Sequence, residues 1–189
     1  LLDLPDLDRL DDEDDDPIGD KANLLMGLFE SILSEVTDAQ IGIIDRVTGM
    51  TYERYLTDDF TPTLKEWHQV LKEQPEPEAQ DLALAVETYT TGSQDIFAHS
   101  TNVDLNHRFV IFNLKKLSHK LKPFALMVIQ DYIWNQIVEN QGKCTTWVYF
   151  DEMQILFKNK AQADFFTTLY SRIRKYGAIP TGITQNVET

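Results

Sequence analysis

Residues 145–157 read TTWVYFDEMQILF, a run of β-branched and aromatic residues that ends in two adjacent carboxylates, Asp151 and Glu152. Carboxylates at the end of a buried strand need an answering cation, proton or hydrogen-bond donor, because a buried charge left unanswered is costly. A metal-bound nucleotide is one such answer. In the Walker B arrangement of nucleotide hydrolases the Asp holds Mg²⁺ through water, and the adjacent Glu polarises the water that attacks the γ-phosphate. Taken alone, the pattern is equally that of a solvated strand end. Gln185 closes the next predicted strand, where an amide can sense the γ-phosphate or hold the lytic water; a polar strand terminus is the plain alternative. Arg172, Arg174 and Lys175 lie on the helix between. Helical geometry sets Arg172 and Arg174 on opposite sides of the apolar stripe, with Lys175 pointing nearly away, so they cannot all serve one phosphate. One arginine can act in trans as a finger in a neighbouring subunit's site, whereas a surface charge run accounts for at least one of them.

The phosphate cradle G-x-x-x-x-G-K-[ST] of a P-loop motor is absent from the 189 residues. Gly142-Lys143-Cys144 imitates its end, but Ile137 stands at the first Gly position, Cys144 replaces Ser or Thr, and the stretch precedes a strand instead of following one. It reads as a turn. The chain thus carries the metal- and water-handling half of a nucleotide site without the phosphate-gripping half.

The elements that must position these residues follow from periodicity. KANLLMGLFESILSEV places Leu24, Leu25, Leu28, Ile32 and Val36 at helical spacing, which predicts a helix over about 20–36. IGIIDRVTGMTYERYL is ambiguous, because Gly42 and Gly49 interrupt either pattern. Thr63 is an N-cap with Glu66 at the capping-box position ahead of LKEWHQVLKEQ, and EAQDLALAVETYTTG is a further helix stopped by Gly92. After residue 100 the character changes. RFVIFNL (108–114) is an apolar run of strand length, KPFALMVIQDYIWNQIVEN a helix apolar on most sides, TTWVYFD a strand, AQADFFTTLYSRIRKYG an amphipathic helix ending at Gly177, and IPTGITQN a short strand. Alternating strands and helices with apolar strands predict a parallel sheet covered on both faces, with ligands at the carboxyl ends of the strands. Asp151, Glu152 and Gln185 all fall at those ends.

Composition sets the outer limits. The chain is 42% hydrophobic and long enough for one good core, or for one core plus a subdomain. The longest apolar stretch, Phe124–Ile129, is far short of the roughly 18 residues of a membrane span. No basic, apolar, small-residue signal pattern is visible in the opening residues, and a chain that begins with Leu rather than Met is expected to be an internal piece of a longer protein. The single cysteine, Cys144, excludes an internal disulfide and fits a reducing compartment as a quiet structural thiol. A formal net charge of −14 argues against a nucleic-acid surface, but much of the excess lies in residues 1–20 with an unbroken acidic block from Asp11 to Asp16. That block reads as a solvated loop; it lacks the alternation and central Gly of a calcium-binding EF-hand.

FAHSTNVDLNHRFVIFNLKKL, TWVYFDE, SRIRKYG and the closing IPTGITQNVE together resemble the conjugative-transfer ATPases of type IV secretion systems, the VirB/TraC/TraE-like group. The resemblance runs over most of the chain, strongest from residue 78 onward, and extends to LLDLPDL and DDPIGDKANLL near the start. It implies a RecA-like motor domain of the FtsK-HerA kind, that is, an α/β parallel sheet covered by helices with an inserted helical subdomain. The corresponding organisation is an acidic loop over 1–19, the helical subdomain over 20–100 and part of the ATPase core over 101–189. The resemblance assigns Asp151 and Glu152 to Walker B with Mg²⁺ held by Asp151 through water, Arg172 and Arg174 to the arginine-bearing motif, and Gln185 to the sensor-like position. It leaves open which arginine is the finger. It further implies ATP and Mg²⁺ as cofactors, self-association into a hexameric ring, other channel and coupling proteins as partners, DNA contact in the longer protein, and a peripheral position at the cytoplasmic face of the membrane. With Walker A missing, the 189-residue piece is expected to be inactive alone. Two other functions fit the same residues: a DNA-translocating or unwinding motor of that superfamily, and a non-catalytic docking module presenting its helices to channel proteins.

Overall fold

The computed structural model describes residues 2, 4, 16–57, 60–118, 121–154 and 160–184. They form two compact units, Leu1–Val128 and Ile129–Thr189. The formal charge divides with them: residues 129–189 hold six acidic and six basic side chains, so the whole net charge of −14 falls in residues 1–128.

The first unit is helical. Helix α1 (Pro17–Ile32) starts at Asp16, whose side chain accepts from Gly19 N–H, and it carries Pro17 in the first turn, where its missing N–H costs nothing. Helix α2 (Asp38–Tyr55) takes up the stretch that the sequence left ambiguous. A Thr37–Gln40 capping box starts it, and Ile43, Ile44, Val47, Thr48, Thr51 and Tyr52 form its buried stripe. Each internal Gly costs about 1 kcal/mol of helix propensity, which burial of that stripe outweighs. Helix α3 (Leu64–Lys72) begins with the Thr63–Glu66 capping box and helix α4 (Pro77–Thr90) begins with Pro77. Phe29 packs against Trp67 at 5.1 Å between ring centroids, and the Trp67 indole N–H donates to Thr48 Oγ1 at 3.1 Å. His68 is buried between α3 and α4, its Nε2 3.0 Å from the carbonyl of Ala83 and its Nδ1 2.9 Å from the Thr90 hydroxyl.

The second unit contains most of helix α5 (Leu121–Asn140), strand β1 (Thr146–Phe150), helix α6 (Lys160–Arg172), a 3₁₀ turn (Ile173–Tyr176) and strand β2 (Ala178–Gly182). β1 and β2 pair in parallel, Thr146 opposite Ala178 and Phe150 opposite Gly182. Ile137, Val148, Leu169, Ile173 and Ala178 make the core of this unit. Gly177 ends the 3₁₀ turn at φ +71°, a left-handed C-cap that glycine adopts without a Cβ penalty.

The α/β RecA-like parallel sheet covered by helices is not what the described residues form. Helices dominate them, and their one sheet is the open two-stranded pair β1–β2. RFVIFNL is not a strand: residues 108–114 join neither β1 nor β2, and Phe109 and Ile111 are 76% and 74% exposed. An apolar run of strand length becomes a strand only when a neighbour takes its N–H and C=O groups, and hydrophobicity alone does not supply that neighbour. β1 itself is covered on one face only. Val148 is buried while Trp147 and Tyr149 are 56% and 58% exposed, so the strand alternates where a sheet covered on both faces would not.

Candidate carboxylate site at the end of the parallel strands

Asp151 and Glu152 follow β1 directly and are both exposed. What shapes them is the way Ile183, just beyond β2, is hydrogen-bonded. Its N–H donates to Phe150 O at 2.8 Å, and its carbonyl accepts from Met153 N–H at 3.0 Å. In an unbroken parallel ladder the second bond would come from Glu152, two residues after Phe150. Here one extra residue is inserted, the arrangement of a β-bulge, and the surplus chain is taken up in a turn. Glu152 accordingly has φ +51°, the one described non-glycine residue with positive φ. A left-handed backbone costs a side-chain-bearing residue about 1–2 kcal/mol, and such conformations cluster at functional sites. The Glu152 N–H released from the ladder donates instead to Asp151 Oδ1 at 2.9 Å, which orients the aspartate.

Behind the turn, Met153 is partly buried, and the Tyr170 hydroxyl of α6 lies 3.7 Å from its sulfur. Burial pushes the Tyr170 phenol up from its ordinary value, so it is a protonated donor at neutral pH. Gly182 lies under the same thioether: a Cβ there would overlap the Met153 sulfur and come within 3.2 Å of the Tyr170 oxygen. Sequence reasoning missed Met153, Tyr170 and Gly182. The available signal was a glycine inside a strand pattern, which often marks a close approach.

The arginines lie elsewhere. Arg172 ends α6 and Arg174 falls in the 3₁₀ turn, both exposed, with Ile173 fully buried between them. That turn runs into the amino end of β2, which pairs with the amino end of β1. The carboxylates stand at the opposite, carboxyl end. The strand in between spans four residue steps, about 13 Å at ~3.3 Å per residue. The chain therefore brings Asp151 and Glu152 together and keeps Arg172 and Arg174 away from them. Gln185 lies outside the described residues. The decoy Gly142-Lys143-Cys144 occupies the turn between α5 and β1, with Gly142 at φ +73°.

No protein-family model and no curated protein matches the chain. Among solved structures it is similar to VirB4 of Thermoanaerobacter pseudethanolicus, with a TM-score of 0.73 at 22% identity over 90% of this chain and 50% of that one. The fold is VirB4-like. The chain spans about half the length of VirB4. The local geometry of the carboxylates follows from the bulge after β1.

Proposed function

We propose that this chain is the metal- and water-handling part of an ATP-hydrolysing motor that energises assembly of, or transport through, a type IV secretion channel. The observation that carries the reading is the bulge: a strained, exposed Asp151-Glu152 turn at the carboxyl end of a parallel strand, in a VirB4-like fold. Asp151 offers a hard carboxylate oxygen, the donor type Mg²⁺ takes, one or two at a time alongside water and phosphate. Bound Mg²⁺ would neutralise charge on the transferring phosphoryl group. Glu152 would orient and polarise the attacking water, and Gln185 would sense the γ-phosphate.

The phosphate-gripping loop is supplied by the remainder of a longer protein, in line with the half of VirB4 that this chain does not span. The separation of the arginines from their own chain's carboxylates favours a ring in which Arg172 or Arg174 reaches a neighbour's nucleotide. Residues 20–100 form the helical subdomain through which channel and coupling proteins are engaged. No helix among the described residues is long and apolar enough to cross a membrane, and the proposed motor acts from the cytoplasmic face as a peripheral protein.

The test is Glu152→Gln in the longer protein. It should leave ATP affinity within about twofold and abolish turnover, because it removes water activation while sparing Asp151. Equal loss of binding and turnover would make Glu152 structural and refute the reading.

A further inference from the structure

We propose that Met153, Gly182 and Tyr170 are positioning residues that hold the carboxylate turn in its bulged form. The functional consequence rests on the hydrolytic reading above; the structural one rests on geometry alone.

The bulge exists because Met153 N–H, and not Glu152 N–H, reaches the Ile183 carbonyl. Whatever fixes Met153 against β2 therefore fixes the left-handed backbone of Glu152 and, through the Glu152 N–H, the orientation of Asp151. Three contacts fix it. The backbone N–H bonds Ile183 O at 3.0 Å, the thioether sits where a side chain at position 182 would otherwise be, and the Tyr170 hydroxyl donates to the sulfur at 3.7 Å. A Met side chain is flexible and a sulfur acceptor weak, so neither alone would hold a strained turn. The glycine notch confines the thioether and the phenol marks its end point. Because α6 contributes Tyr170, the carboxylate turn is also tied to the helix that ends at Arg172. A Cβ at position 182 would displace a flexible side chain and not backbone, so Gly182→Ala should stay folded and lose only the seat.

Two measurements test this. In the 189-residue chain, ¹³C-methyl labelling gives four methionine signals, from Met26, Met50, Met127 and Met153. Gly182→Ala and Tyr170→Phe should each move the Met153 signal and leave the other three in place; an unmoved Met153 signal overturns the seat. In the longer protein, Gly182→Ala and Met153→Ala should each lower kcat by about 10- to 100-fold, the loss expected when reacting groups are misplaced by about 1 Å, with KM for ATP within about twofold. The double variant should fall no further than the worse single, because both remove one and the same contact. Multiplied losses in the double variant, or unchanged turnover in both singles, overturn the proposal. Should Gly182→Ala fail to fold, Met153→Leu keeps the volume, removes the sulfur acceptor and should show the same kcat loss. Full turnover by Glu152→Gln would defeat the hydrolytic reading and leave the methyl signals to decide the seat.

Discussion

Thr48 and Thr51 provide an internally controlled measure of what one buried hydrogen bond does for the helical unit. Both lie on the buried stripe of α2, at 1% and 0% exposure, and each hydroxyl donates 2.7 Å to the carbonyl four residues earlier, Ile44 and Val47 respectively. They differ in one respect: Thr48 Oγ1 also accepts the indole N–H of Trp67, itself fully buried. Val matches Thr in shape. Thr51→Val removes a bond to a carbonyl that keeps its helical partner and should change stability by less than about 0.5 kcal/mol. Thr48→Val leaves the indole N–H buried without an acceptor, which costs about 1–3 kcal/mol, and added apolar surface returns only part of it. We expect Thr48→Val to be the more destabilising by about 1–2 kcal/mol. At a urea m-value of about 2 kcal/mol/M, that is a fall in midpoint of about 0.5–1 M relative to Thr51→Val. Trp67 is the sole tryptophan of residues 1–128, so a Trp134→Phe, Trp147→Phe background lets fluorescence follow this unit. Equal midpoints for the two variants would show that the Trp67–Thr48 bond contributes nothing and would refute this reasoning.

His68 should make the same unit sensitive to acid. Burial is the largest influence and holds its pKa below the ordinary 6.5, nearby Lys72 adds to that, and the Ala83 carbonyl and Glu87 oppose it. The folded state thus resists a proton that the unfolded state accepts, so stability should be full above about pH 6.5 and decline as pH falls towards the lowered folded value. Urea midpoints between pH 7.5 and 5.5 should drop more for the native sequence than for His68→Gln, and parallel drops would refute the assignment. For the arginines, Ala at the true finger should reduce turnover of the longer protein on the order of 10³-fold with ATP affinity spared, and Ala at the other should have little effect. Mixing the finger variant with subunits carrying Glu152→Gln should restore part of the activity, because an intact arginine and an intact glutamate then meet at some interfaces; no recovery would refute action in trans.

Local signals were readable because they are local. Thr63 and Glu66 lie three residues apart and cap α3 through each other, and Gly177 ends its turn by its own backbone freedom. The α2 helix was not readable. Gly42 and Gly49 lower its propensity, and the compensation comes from packing against α1 and α3, which no window of sequence contains. The RFVIFNL stretch failed for the opposite reason, since an apolar run reads the same whether a neighbour pairs with it or not. At the site, the adjacency of Asp151 and Glu152 at the end of β1 was legible. The left-handed backbone of Glu152 was not, because Ile183, 31 residues on, imposes it through two bonds. The distance of Arg172 and Arg174 from the carboxylates likewise depends on the parallel register of β1 and β2, which fixes the end of the sheet each segment reaches.

Cys144 is exposed and is the only thiol in the sequence. It stands two residues ahead of β1, at the end of the sheet that also receives the arginine-bearing turn. A maleimide dye would therefore attach at one defined point without engineering, a strand's length from Asp151 and Glu152. Like dyes on neighbouring subunits would exchange excitation energy, so depolarisation of the emitted light would rise as subunits assemble and fall as they part. In the proposed ring, that dye would serve as an optical gauge of closure, set at the arginine-bearing end of the sheet.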